Sequence, residues 1–123
     1  LSLHDALPIL IENLCKNAID AMDGIGKIDI FVGTENEELI IDVKDTGKGI
    51  EKRKFKVIFT PGFTTKKRGW GLGLSLAKRI VKDYHKGKIF VKYSDVGKGT
   101  VFCIELPNTP QANKFNINGL VKN

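Results

Sequence analysis

The 123-residue chain is 41% hydrophobic and 28% charged, the make-up of one globular domain with length for a single core. No apolar run approaches the roughly 20 residues that cross a bilayer, and the start lacks the basic-then-apolar order of a secretory leader, so a cytoplasmic segment without membrane contact is expected. The formal net charge of +6 permits a nucleic-acid partner, but the cations gather at Lys66, Lys67 and Arg68 beside a glycine-rich loop, which a small phosphate-bearing ligand explains as well, and no nucleic acid is expected.

Residues 1–8, Leu-Ser-Leu-His-Asp-Ala-Leu-Pro, resemble a translated adapter remnant and read as a non-native or truncated lead-in. Pro8 fits a helix comfortably only in its first turn. Leu7, Leu10, Ile11, Leu14, Ala18, Ala21 and Met22 recur at three- and four-residue steps, predicting a helix over 5–22 that Gly24 and Gly26 end. Alternation predicts strands over 27–32 and 38–44, with Thr34 to Glu37 as the hairpin loop. Asp45 to Gly49 then forms a turn. A short helix near 51–58 and a loop holding Pro61, Gly62 and Gly69 make 51–70 a long irregular segment of the kind that serves as a lid.

A second helix is predicted over 72–84, with Leu72, Leu76, Ala77, Ile80, Val81 and Tyr84 on its apolar side and Gly87 after its end. Strands over 88–93 and 100–106 follow, joined by the turn Asp95 to Gly99. The polar tail 108–123, with an apolar patch at Phe115 to Val121, is expected to be loosely held. This order predicts an α/β (α+β) two-layer sandwich over 9–107, with helices on one face of a mixed, mostly antiparallel sheet. Cys15 and Cys103 lack metal-type spacing and read as reduced core thiols.

Four clusters carry chemistry. On the first helix, Asn13, Asn17 and Asp20 fall within about 60° of one another at ~100° per residue. Amide oxygens there suit Mg²⁺, which usually arrives with phosphates, although a solvated helix face would look similar. At a strand end, Asp45-Thr46-Gly47-Lys48-Gly49-Ile50 offers a fixed carboxylate that can accept from an adenine amino group, with glycines that let backbone approach a flat base; a plain Asp-Gly turn is the alternative. Phe59-Thr60-Pro61-Gly62-Phe63-Thr64-Thr65-Lys66 sets aromatics that can pin a lid beside a lysine that can reach a terminal phosphate, or is simply a packed loop. Gly69-Trp70-Gly71-Leu72-Gly73-Leu74 runs into a helix start, where free N–H groups cradle phosphate; it matches neither a P-loop nor GxGxxG, and a hinge would also use it.

In this order the four resemble the N, G1, F and G2 boxes of the histidine-kinase ATP-binding family, within the gyrase, chaperone, kinase and mismatch-repair superfamily. The N box is Asn13 to Ala21, G1 is Asp45 to Gly49, F is Phe59 to Lys66 and G2 is Gly71 to Leu74; Lys98-Gly99-Thr100 matches a further family feature. The resemblance implies a Bergerat-type fold lacking its first strand, with ATP and Mg²⁺ as cofactors. Asn17 would bind the metal, and Asn13 and Lys66 would join it in catalysis. Asp45 would recognise adenine. Asp20, Gly47, Gly49, Ile50, Phe59, Thr65, Gly71, Leu72, Gly73, Leu74 and Thr100 would complete the nucleotide site.

The place of Asn13 is held in the gyrase and mismatch-repair branches by a glutamate that activates water. A neutral amide cannot act as that base, so phosphoryl transfer is implied over hydrolysis. The acceptor would be a histidine on a dimerisation domain absent from this chain, with relay to a response regulator, in a full-length protein that is a homodimer. His4 lies too near the N box to be the acceptor, and His85 reads as a surface residue. Trp70 departs from the small residue usual in a G2 box. A stand-alone serine kinase of the anti-sigma-factor type, or a non-catalytic nucleotide-binding module, would share most of these features.

Overall fold

The structure, a computed structural model, describes residues 2–63 and 73–107. Helix α1 spans Leu3–Ala21. Ser2 caps it, its hydroxyl accepting the Asp5 N–H at 3.1 Å, so the helix begins two residues earlier than its periodicity suggests. Leu3, Ala6 and Leu7 extend the buried stripe of Leu10, Leu14 and Ala18. Pro8 therefore lies in the second turn, not the first. It removes one helical N–H there, on the exposed side where water can satisfy the freed carbonyl. After Ala21 the chain turns out through Asp23 and Gly24, both at positive φ, and the Gly24 N–H returns to the Ile19 carbonyl at 2.9 Å.

Strands β1 (Ile28–Glu35) and β2 (Glu38–Asp45) pair from Ile28↔Asp45 to Glu35↔Glu38. Only Asn36 and Glu37, both at positive φ, are left for the turn, so the hairpin is tighter than the polar run Thr34 to Glu37 suggests. Two short 3₁₀ turns, Lys52–Lys54 and Val57–Phe59, stand where one helix was predicted over 51–58. The second turns Phe59 into the core, its ring edge-on to Phe102 at 6.2 Å between centroids.

Helix α2 covers Gly73–Arg79 and continues as a π-turn over Ile80–Tyr84. Ala77, Ile80 and Val81 are its buried residues, whereas Leu76 and Tyr84, predicted on the same side, are exposed. Leu76 lies about 100° round the helix from Ala77. The wider π-turn carries Tyr84 out of phase with the stripe.

Strands β3 (Lys88–Asp95) and β4 (Gly99–Pro107) complete a sheet ordered β1-β2-β4-β3. Among the described residues every neighbouring pair is antiparallel, a correction to the mixed sheet expected. β2 and β3 do run parallel, across the α2 crossover, but the tight β3–β4 hairpin inserts β4 between them. Alternate residues of the two central strands, Leu39, Ile41 and Val43 with Phe102, Ile104 and Leu106, form the helix-facing core against Leu7, Leu10 and Leu14. Each such fully buried side chain contributes about 1.5–3 kcal/mol relative to exposure.

The opposite sheet face carries the Lys92–Asp42 ion pair at 2.8 Å and the exposed rings of Phe31 and Tyr93. Cys103 is buried on that side, its thiol pushed up to about 12 chiefly by burial, and Cys15 is half-buried; both are free thiols. No helix among the described residues is long and apolar enough to cross a membrane.

Candidate functional site

The site is built where the last turns of α1 meet the end of β2. The Lys48 N–H donates to the Ala21 carbonyl at 2.9 Å, and the Thr46 hydroxyl reaches the Met22 sulfur at 3.4 Å. A Cβ on Gly47 would come within 2.6 Å of the Ala21 carbonyl oxygen, and one on Gly49, at φ +77°, within 2.3 Å of the Asp95 carbonyl oxygen. These glycines are thus required by close backbone contacts inside the protein.

Asp45 ends β2 and is only 2% exposed. Its Oδ1 accepts the Gly47 N–H at 2.8 Å, while Oδ2 has no hydrogen-bond partner among the described residues. Burial pushes its carboxyl above the ordinary aspartate range, partly offset by the backbone N–H groups of Gly47 and Thr100. A buried carboxylate oxygen without a donor is costly, and a ligand N–H relieves that cost. Thr100, 3% exposed, stands directly opposite Asp45 in the β2–β4 register. The Ile50 N–H donates to the Ser94 hydroxyl at 2.7 Å. Sequence reasoning missed Ser94; a lone serine in a strand gives no signal until the register is known.

One turn before Ala21, about 6 Å along the helix axis, lies Asn17. It is half-buried, on the same helix face as Asn13 and as exposed Asp20. Asn13 Nδ2 lies 3.5 Å from the Gly73 carbonyl at the start of α2. Asn17 therefore sits between two anchors, one to α2 and one to the turn after Asp45. Gly73 is exposed at the helix start and Leu74 packs against the core. Phe59 serves the core as described above. Thr65, Lys66, Trp70, Gly71 and Leu72 lie outside the described residues, as does the basic cluster Lys66 to Arg68.

His4 is exposed in the first turn of α1. His85 is not the surface residue expected. It is half-buried, its Nε2 has no hydrogen-bond partner among the described residues, and burial holds its pKa below the ordinary value. The π-turn, ending at Tyr84, brings this residue inward.

Residues 3–110 match the family model described as histidine kinase-, DNA gyrase B- and HSP90-like ATPase. The chain belongs to that family. Among curated relatives of this ATPase domain, sporulation kinase E of Bacillus subtilis is 42% identical over 96 residues, covering 77% of this chain and 13% of the relative. The sensor histidine kinase ZraS of Salmonella typhimurium is 44% identical over 104 residues, covering 84% of this chain and 22% of the relative. The chain thus spans only a small part of these relatives. Among solved structures, the catalytic domain of histidine kinase ThkA is 35% identical with a TM-score of 0.76, covering 89% of this chain and 71% of that one. ThkA has also been solved in complex with the response regulator TrrA, where the match has a TM-score of 0.68 at 35% identity, over 83% of this chain and 28% of ThkA. Fold and likeness together make this chain a catalytic ATPase domain of the sensor-histidine-kinase kind.

Proposed function

We propose that this chain binds ATP with Mg²⁺ and donates the γ-phosphoryl group to a histidine imidazole on a dimerisation domain outside this chain, for relay to a response-regulator receiver domain. The observation that carries the proposal is the second carboxylate oxygen of Asp45, buried beside a glycine turn and without a donor among the described residues. An adenine amino group supplies the missing donor.

The residues fit the metal and phosphates as well. Among the described residues there is no group of three or more His, Cys, Asp or Glu that could hold a metal by itself. An amide oxygen from Asn17 suits an ion that keeps its waters and travels on the triphosphate. When bound, that ion neutralises phosphate charge. The Asn13 amide lies 3.5 Å from the Gly73 carbonyl, which supports reading it as a phosphate contact, and a neutral amide cannot deprotonate water. In this reading Lys66, which lies outside the described residues, would add charge at the terminal phosphate, and 51–70 would be the lid over the nucleotide.

In the transfer, the bond from the γ-phosphorus to the β–γ bridging oxygen breaks and ADP leaves, a phosphorus–nitrogen bond forms, and the imidazole N–H proton passes to water. Protein groups position and neutralise more than they react. The whole protein acts as a homodimer in this reading. The test is to fuse this chain to a histidine-bearing dimerisation domain and supply ATP labelled in its γ-phosphate. Acid-labile label on the histidine supports the proposal. Bound nucleotide with no such label would overturn it, and acid-stable label on serine would favour a serine kinase.

A further inference from the structure

The β3–β4–β2 register aligns Ser94, Thr100 and Asp45 in one row across three strands. Residues directly opposite in an antiparallel pair share a face, with Cβ atoms roughly 4.5–5.5 Å apart, so the Thr100 and Asp45 side chains are neighbours, and among the described residues the Thr100 hydroxyl makes no hydrogen bond to Asp45 Oδ2. Thr100 is 3% exposed, so which way its one hydroxyl hydrogen points is decided by protein neighbours. The neighbour is Ser94, whose Oγ lies 2.8 Å from Thr100 Oγ1.

Ser94 has one hydrogen to give and two lone pairs. One lone pair accepts the Ile50 N–H at 2.7 Å, and the Gly99 carbonyl lies 3.1 Å away as an acceptor. If Ser94 donates to Gly99, its second lone pair takes the Thr100 hydrogen, and both hydroxyls of the row are satisfied. If Ser94 donates to Thr100 instead, the contact to Gly99 is lost. The first arrangement keeps one more hydrogen bond, and it leaves Thr100 with only lone pairs to offer the site.

We propose that Ser94 is a positioning residue that holds Thr100 as an acceptor next to Asp45 and so excludes guanine. This rests on the nucleotide-site reading above. The site then presents two neighbouring acceptors, the Asp45 carboxylate and Thr100 Oγ1. The amino group on C6 of adenine is a donor, whereas the oxygen on C6 of guanine is an acceptor and meets lone pairs. Without Ser94, the Thr100 hydroxyl is free to turn and donate to that oxygen.

The experiment is calorimetric titration of the full 123-residue chain with ADP and with GDP. Wild-type protein is expected to prefer ADP. In Ser94→Ala that preference narrows about tenfold, the size of one hydrogen-bond mismatch, and Ser94→Thr, which keeps the hydroxyl, restores it. A purely structural role would weaken both nucleotides alike and leave the ratio unmoved. Ser94→Cys, which keeps the volume with a weak donor, gives the same reading should the alanine variant fail to fold. ADP binding with an unchanged ADP:GDP ratio in the alanine and cysteine variants would overturn the role of Ser94 and leave the nucleotide site standing. Wild-type protein that binds neither nucleotide would overturn both.

Discussion

The Lys48 amide donates to the Ala21 carbonyl at 2.9 Å, joining the end of α1 to the turn that follows Asp45. This bond and the Asn13–Gly73 contact set the ends of the region in which Asn17 stands. An amide-bearing helix face and a buried strand-end acid are thereby parts of one structure, and changes at the junction should be felt at both.

Gly47→Ala tests the junction. Its new methyl would lie 2.6 Å from the Ala21 carbonyl oxygen, which is backbone and cannot swing aside. Overpacking of this kind costs about 1–3 kcal/mol, and the forced shift of the turn should also weaken nucleotide binding. Gly97→Ala is the comparison: at φ +85° it is strained but meets nothing within 4 Å, so it should cost about 1–2 kcal/mol and leave binding intact. Urea denaturation and nucleotide titration of both variants check this.

Asp45→Asn should stabilise the ligand-free protein while abolishing adenine nucleotide binding. Burial raises the Asp45 pKa, so the folded state holds its proton more tightly than the unfolded chain. The penalty for the charge is therefore fully present above the raised folded pKa and disappears as pH falls through the ordinary carboxylate range. Melting temperatures of variant and wild type should differ at pH 7 and converge in acid.

His85 should give a dependence of the opposite sense. Its folded pKa is lowered by burial, so the unfolded chain takes up the proton first. Stability is complete above about pH 6.5, the ordinary histidine value, and is lost as pH falls from there toward the depressed folded pKa. Urea midpoints measured between pH 7.5 and pH 5 should fall more steeply for wild type than for His85→Gln.

The Phe59–Phe102 pair holds the start of the segment after β2 to the core. Phe59→Ala should cost about 3–5 kcal/mol. A loss well under 1 kcal/mol in chemical denaturation would show that this anchor does not carry the packing described.

What the sequence reveals follows how local the cause is. Leu39, Ile41 and Val43 mark β2 by simple alternation, and Leu7, Leu10 and Leu14 mark α1 by helical spacing. Asp45 is recognisable because glycines follow it within a few residues. The insertion of β4 between β2 and β3 is a long-range pairing, so neither the antiparallel order nor the Ser94–Thr100–Asp45 row can be read from any window. The π-turn after Arg79 has no local signature, which is why Tyr84 was assigned inward and His85 outward. Ser2 could have signalled the earlier start of α1, since its cap onto Asp5 is a three-residue pattern.

The most direct measurement is ATP titration, with and without Mg²⁺, into wild type, Asp45→Asn and Asn17→Ala. The account predicts that wild type binds, that Asp45→Asn loses binding in both conditions, and that Asn17→Ala loses only the part that depends on Mg²⁺. Binding unchanged in both variants would contradict it.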